Sequence, residues 1–195
     1  GESLKSTVQT GPFGAQLHAS DYVDEGVPLI LIRNIDGNHL NPEGIPKISL
    51  EDAKRLERFS LQENDIVFSR VGRVGSCFLA TKKHKGWIIS GQTLRIRLPE
   101  NAVNFDYLSY ALQGDRAQKY IVDVSIGSTR KSISTKVLEA LPVILPPIAE
   151  QEKIADVLQA CDAEIELHEK KLAALQEQKK GLMQRLLTGQ VRVKV

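Results

Sequence analysis

No stretch of this 195-residue chain approaches the roughly 18 consecutive apolar residues of a membrane-spanning helix, so no membrane span is expected. Cysteine is scarce: Cys77 and Cys161 stand far apart, both on apolar patterns. That usage reads as two buried free thiols of a reducing cytoplasm rather than as a disulfide. The four histidines, His18, His39, His84 and His168, do not pair with cysteines or carboxylates at metal-ligand spacing. No phosphate-cradling GxxxxGK loop is present, no GxGxxG follows a strand, and no Gly-x-Ser-x-Gly elbow occurs. An Asn/Asp-Pro-Pro-Tyr/Phe motif, a catalytic triad and a nuclease-type carboxylate cluster are equally unrecognisable. The chain is therefore expected to catalyse nothing by itself and to hold no metal or cofactor of its own. Gly72-Arg-Val-Gly75 resembles the GxxG of KH domains, but that loop joins two helices, and here it joins two strands.

Two further absences are local. Between Ile66 and Pro99 there is no Asp or Glu, yet Arg70, Arg73, Lys82, Lys83, Lys85, Arg95 and Arg97 all fall there, with His84 beside them. The overall charge of only +2 hides this excess. Such a run suits a polyanion, or else it is an ordinary solvated basic face.

Between Ile148 and Leu187 there is no proline. Instead Ile154, Leu158, Cys161, Ile165, His168, Leu172, Leu175, Lys179, Leu182 and Leu186 recur in unbroken 4-3-4-3 steps. A seam repeating every 3.5 residues belongs to a supercoiled helix that needs a partner helix. At ~1.5 Å per residue such a rod is roughly 60 Å long, so it is expected to act as a spacer and docking element. If two copies pair antiparallel, partners whose numbers sum to 340 match all ten positions, Ile154 with Leu186 through His168 with Leu172. The next register, seven residues away, leaves an end layer empty.

The rest of the composition, 42% apolar and 26% charged, is that of a soluble globular protein with one core of roughly 100–150 residues. The chain opens Gly-Glu-Ser, which reads as processed, tagged or cut from something longer. Residues 1–145 alternate strand signals with turns: Leu29–Arg33, Asp65–Ser69, Ser76–Thr81, Trp87–Ile89 and Thr93–Leu98. Helices are expected over Ala53–Phe59 after Ser49, from Asn104 through Leu112 and on to Ile121, and after Ser134 or Thr135. This predicts an α+β globular domain at 1–145 with a curled, mostly antiparallel sheet. Pro146-Pro147 closes it, a long coiled-coil-forming helix occupies 146–189 with Gly189 as a left-handed cap, and the alternating tail 190–195 adds a short strand.

Four groups of segments together resemble one family, the specificity subunit of type I restriction-modification enzymes. They are Thr10-Gly-Pro-Phe-Gly-Ala-Gln-Leu with Asp21 through Ile35; Asn64 through Gly75 with Ser90-Gly-Gln-Thr-Leu-Arg-Ile-Arg-Leu; Gly127-Ser128 through Leu141-Pro-Val-Ile-Leu-Pro-Pro-Ile to Ile154; and Leu172 through Gly189. They run in the family's order over nearly the whole chain. The resemblance implies a target recognition domain at 1–145 and a conserved helical region after it, where a full family member carries two of each. It implies double-stranded DNA as ligand and a bipartite target. The implied partners are a modification subunit, which carries S-adenosylmethionine and methylates adenine, and a restriction subunit. One domain and one helix imply either a natural half-subunit that forms a homodimer through antiparallel helices or half of a longer subunit.

The residues supply matching chemistry. Ser69, Arg70 and Arg73 flank a glycine turn where backbone could approach a phosphate, or else form a plain turn with exposed arginines. Lys82, Lys83 and Lys85, taken as a hairpin tip, suit phosphate attraction or simple solvation. Ser128, Thr129, Arg130 and Lys131 offer hydroxyls and cations for base edges, or else a capping segment before the next helix. The expectation is sequence-specific duplex recognition by a non-catalytic cytoplasmic subunit. The competing class is a coiled-coil scaffold with an incidental basic patch.

Overall fold

The computed structural model describes residues 8–13, 17–72, 74–99, 103–125 and 132–193. By internal packing the chain forms two units, Gly1–Glu152 and Lys153–Val195.

Short β-branched runs bounded by Gly, Pro and Asn make ten strands among the described residues. They are β1 (Val8–Thr10), β2 (Tyr22–Val23), β3 (Val27–Ile30), β4 (Ile35–Asp36), β5 (His39–Leu40), β6 (Lys47–Ile48), β7 (Ile66–Ser69), β8 (Cys77–Leu79), β9 (Ile88–Ile89) and β10 (Thr93–Ile96). The helices are α1 (Leu50–Arg55), α2 (Phe105–Gln113), α3 (Asp115–Ser125), α4 (Thr135–Glu139) and α5 (Ile148–Leu187). Each of α1, α2 and α4 starts on a side-chain cap, where Ser49, Asn104 and Ser134 accept from the N–H of Asp52, Tyr107 and Val137. The Asp52 carboxyl is held below its ordinary value, first by its hydrogen bond from Arg55 and then by that from Ser49.

The mixed α+β unit contains open sheets, not the one curled sheet expected. The order β1-β10-β7-β8 makes an antiparallel sheet, β2-β6-β3-β9 a second one, and β4-β5 a separate ribbon. The pairings are antiparallel except β3 with β9, which run parallel with Leu29 opposite Ile88 and Ile30 opposite Ile89. Two 3-10 turns, Ile32–Asn34 and Lys82–His84, divide what adjacent strand signals had suggested was continuous sheet. The core forms where Val67 and Phe78 of the first sheet meet Leu29, Ile30, Ile48, Ile88 and Ile89 of the second. Alternation along β7 and β10 sends Ile66, Phe68, Leu94 and Ile96 to the opposite face, and all four are buried as well. α2 packs on β8 and α4 on β1.

The base of α5 is tied down within the first unit. Asn104 N–H donates to Gln151 Oε1 at 2.9 Å, Gln151 Nε2 donates to the Pro146 carbonyl at 2.7 Å, and Tyr107 OH donates to the Ile144 carbonyl at 2.8 Å. Pro147 supplies the carbonyl that accepts from Glu150 and Gln151 N–H.

In the second unit the helix runs without interruption to Leu187 and ends on Gly189 at φ 76°. The strand expected at 190–195 is absent over the described residues 190–193. Val191 N–H donates instead to the Arg185 carbonyl at 3.1 Å, closing the helix end. Cys161, expected to be buried, is exposed, whereas Cys77 is buried as expected; both are free thiols. The difference is structural: Cys77 lies on the edge strand β8 beneath α2, and Cys161 lies on the seam of a helix whose apolar stripe is open in the single chain. Along that seam Ile165, Leu172, Leu175, Leu182 and Leu186 are 41–57% exposed, His168 and Lys179 are exposed, and Ile154 and Leu158 are part-buried. His168 Nε2 lies 3.7 Å from Glu164 one turn away. Among the described residues no helix is long and apolar enough to cross a membrane, and no cluster of His, Cys, Asp or Glu could hold a metal ion.

Candidate nucleic-acid interface

The Ser69–Gly75 turn joins β7 to β8, and its conformation is set by glycine. Gly72 (φ 73°) and Gly75 (φ 106°) both occupy the left-handed half of backbone space. A Cβ on Gly75 would meet Gln118 Oε1 at 2.2 Å, so α3 packs directly against the turn. The Gln118 amide completes that seat by donating to the Gly75 carbonyl at 3.1 Å and the Leu112 carbonyl at 2.9 Å. Ser69 is buried, and its hydroxyl donates to the Val71 carbonyl at 3.1 Å, which makes it part of the turn's frame.

Arg70 is part-buried and fixed on three sides. Its Nε donates to the Ile133 carbonyl at 3.0 Å, its backbone N–H donates to the Gln92 carbonyl at 3.1 Å, and its guanidinium carbon lies 5.0 Å over the Phe13 ring. Val71 bridges Ser132, so the segment after residue 131 returns to this same turn. Arg73, Ser128, Thr129, Arg130 and Lys131 lie outside the described residues.

Lys82, Lys83 and Lys85 are exposed, but not on a hairpin tip. Lys82 and Lys83 occupy, and Lys85 directly follows, the 3-10 turn that carries the chain from β8 in one sheet to β9 in the other. His84 turns inward between Phe78 and Trp87, with ring centroids 5.6 and 5.0 Å away, and its Nδ1 accepts from Thr81 N–H at 3.0 Å. Burial first, and then the Lys83 charge, hold its imidazole below the ordinary value of 6.5. One half-buried ring thereby pins the base of a turn that holds three ammonium groups in water.

Two members of the basic run are not surface cations. Arg95 and Arg97 converge on Asp65, which sits one residue before the acid-free stretch. Arg95 also donates to the carbonyls of Arg58 and Ser60 and to Gln9 Oε1. Its guanidinium is held below its ordinary value by burial and next by the Arg97 charge, with Asp65 acting in the opposite sense. Both arginines are committed to contacts within the unit, and the polyanion reading of the run loses these two charges.

Three residues that the sequence did not single out lie beside the Ser69–Gly75 turn: Phe13, Arg33 and Gln92, all exposed. Gly11 and Gly91 lock their loops together. A Cβ on Gly11 would sit 2.2 Å from the Ser90 carbonyl oxygen, and one on Gly91 would sit 2.7 Å from the Phe13 ring. Arg33 was expected at the end of a strand. The Asn34 side chain ends that strand instead by accepting from Leu31 N–H at 3.1 Å, and the resulting 3-10 turn presents Arg33 to solvent. The available signal was the Thr-Gly-Pro-Phe and Ser-Gly-Gln-Thr pair, whose glycines mark close backbone approach.

An α+β unit with a carboxylate-poor turn surface, followed by a long helix with an open apolar stripe, defines a two-part chain of one globular unit and one rod. Residues 18–177 match the family model described as the type I restriction modification DNA specificity domain, and the chain belongs to that family. It is 24% identical over 185 residues to the type I restriction enzyme MjaVIII specificity subunit of Methanocaldococcus jannaschii, covering 93% of this chain and 44% of that protein. It is 33% identical over 135 residues to the putative MjaX specificity subunit of the same organism, covering 69% and 30%. With the EcoKI specificity subunit of Escherichia coli the identity is 27% over 135 residues, covering 66% and 29%.

The fold is similar to that of the S subunit from M. genitalium (TM-score 0.59, 20% identity, covering 94% of this chain and 43% of that one). It is also similar to the HsdS subunit from Thermoanaerobacter tengcongensis (TM-score 0.63, 18% identity, covering 94% and 47%). The chain thus spans less than half the length of the relatives it matches. Membership of this family does not favour the scaffold alternative.

Proposed function

We propose that this chain recognises one half of a bipartite duplex DNA target, as the recognition component of a type I restriction-modification complex. The observation that carries the reading is the family match over residues 18–177, which covers most of the globular unit and most of α5. Exposed cations on two preformed turns support it, because phosphate contacts position such a domain and base contacts specify the sequence. In this reading the chain contributes no catalytic group. The methyltransferase subunit brings S-adenosylmethionine and the restriction subunit brings cleavage, both held on the target by the DNA reader.

The second half of the target is read by a second copy. Two α5 helices pair antiparallel in the register that sums to 340, placing Leu175 against Ile165 and Leu182 against Leu158. Five of the seam residues are large apolar side chains 41–57% exposed in the single chain, and burying each Leu or Ile is worth roughly 1.5–3 kcal/mol. A two-fold pair would read an inverted repeat with a spacer set by the rods.

The test is selection of duplexes from a randomised library by the full chain, alone and with its methyltransferase partner, followed by a salt titration on the selected target. Neutralising about six phosphates gives a log–log salt slope near −5. Selection of a defined sequence with that slope supports the reading. A flat titration, or no selected sequence in either form, refutes it.

A further inference from the structure

Beside the Phe13–Arg70 stack, the 3-10 turn Ile32–Asn34 and the interlocked loops at 11–13 and 90–92 enclose a cleft of about 380 Å³. Phe13, Arg33 and Gln92 line it and are exposed. Ser90 also lines it, and its buried hydroxyl has no hydrogen-bond partner among the described residues. None of its lining residues is a carboxylate. Asp36 lines the adjoining hollow on the far side of Arg33.

These side chains differ in kind from the lysines on the Lys82–His84 turn. Arg33 commits one nitrogen to the Gly44 carbonyl at 3.3 Å, which orients its planar fork and leaves its other donors open among the described residues. The Gln92 amide makes no hydrogen bond among the described residues, while its backbone carbonyl is held by Arg70 N–H at 3.1 Å. The Phe13 ring is 54% exposed yet fixed between the Gly91 backbone and the Arg70 guanidinium. A planar fork, a free amide and an apolar ring on rigid turns match the three kinds of base-edge contact available in a major groove. Arg pairs with guanine O6 and N7, Gln pairs with adenine N6 and N7, and an apolar ring meets the thymine methyl.

We infer that Arg33, Gln92 and Phe13 are specificity-determining residues that meet base edges of duplex DNA at the mouth of this cleft. The inference rests on the DNA-recognition reading above. Lys82, Lys83 and Lys85 carry no base information in this scheme, because an ammonium on a flexible stem contacts phosphate as a point charge.

The test runs duplex selection on the full chain as wild type and as Arg33→Ala, Gln92→Ala and Lys83→Ala. Competition on the selected target, with each base pair changed in turn, follows. Loss of discrimination at one base pair in the Arg33 or Gln92 variant, by about 5- to 150-fold and at a different pair for each, supports the inference. Lys83→Ala is expected to weaken every duplex alike and lower the salt slope by about 0.9. Unchanged sequence preference in both cleft variants, or uniform weakening across all duplexes, overturns the inference while leaving the DNA reading intact. A wild type that selects no sequence overturns both. Arg33 and Gln92 are exposed, so both variants are expected to melt as the wild type does, and two independent positions guard against one failing to fold.

Discussion

The Arg97 guanidinium grips the Asp65 carboxylate twice, Nε to Oδ1 and Nη2 to Oδ2, both at 2.7 Å. Asp65 is 1% exposed, and its Oδ2 also accepts from Gln62 N–H at 2.7 Å and lies 4.0 Å from Arg95 Nε. One buried carboxylate therefore balances two arginines two residues apart, Arg95 within β10 and Arg97 just after it. Removing one partner of such a pair strands an uncompensated charge, which costs about 3–5 kcal/mol. Arg97 is one-third exposed, so the lower end applies. Asp65→Ala is expected to lower stability by about 3 kcal/mol in urea unfolding. Arg97→Ala is expected to be similarly damaging, because it leaves Asp65 buried with little compensation. Equal stability of both variants and wild type would remove this network from the core's architecture.

Gly11 and Gly91 make a second, steric test. At Gly11 the obstacle to a Cβ is the Ser90 carbonyl at 2.2 Å, which is backbone and cannot rotate away. Gly11→Ala is expected to cost about 3 kcal/mol, the upper range for forced overpacking. At Gly37 (φ +60°) nothing lies within 4 Å of a Cβ, so Gly37→Ala is expected to cost only the left-handed backbone penalty, about 1 kcal/mol. Thermal melts of the two variants side by side separate a steric lock from a conformational preference. Equal shifts would mean that the loops at Gly11 and Ser90 are not held together.

Those two loops also mark how far the sequence could be read. Local signals were legible. Ser49, Asn104 and Ser134 cap helices through hydrogen bonds three residues away, and α5 runs without a break because it contains no proline and keeps one seam. Long-range choices were not legible. The parallel pairing of β3 with β9 joins segments that nothing in either run selects for each other, and it splits one expected sheet into two. Arg95 and Arg97 looked like surface cations because their counter-ion, Asp65, lies just before β7, the strand paired with β10, and only that register brings it close. Arg33 was counted as strand because LILIR is β-rich, and the Asn34 side chain overrode that preference. Of the candidate interface, Arg70 and the lysines could be found from charge alone. Phe13 and Gln92 carry no charge signal and become visible only when the glycines bring their loops together.

His84 gives a pH test with a definite sign. Its pKa in the folded chain lies below the ordinary 6.5, chiefly because the ring is desolvated between Phe78 and Trp87. Protonation also removes the acceptor that Nδ1 offers to Thr81 N–H. The unfolded chain therefore binds a proton at His84 at higher pH than the folded chain does. Stability rises with pH wherever the unfolded state holds more protons, so this contribution is complete above pH 6.5 and is lost as pH falls below it toward the folded value. The difference in urea stability between pH 7.5 and pH 5.5 is expected to shrink in His84→Gln, which stays neutral throughout. An identical pH dependence in the variant would show that the ring titrates as freely folded as unfolded.

Cys77 and Cys161 together report on pairing of the long helix. Cys77 is fully enclosed, with Sγ 3.9 Å from the Ser109 carbonyl, and burial pushes its thiol up to about 12. Because the thiolate is the reactive form, Cys77 is expected to stay silent toward a thiol reagent at pH 8 until the chain unfolds in urea. Cys161 is exposed in the single chain, and in the proposed antiparallel pair it lies opposite Lys179 inside the seam. Its modification at micromolar concentration is therefore expected to be slow and to accelerate on dilution, as dimers separate. Leu175→Asp should accelerate it too, because the two-fold symmetry of the pair places each substituted residue against Ile165 and so damages two layers at once. Sedimentation of that variant should show the monomer while its duplex contacts in the globular unit stay intact. If Cys161 reacts at one rate at every concentration, in wild type and variant alike, the seam is not closed by a second copy and the spacing of two half-targets cannot be set by α5.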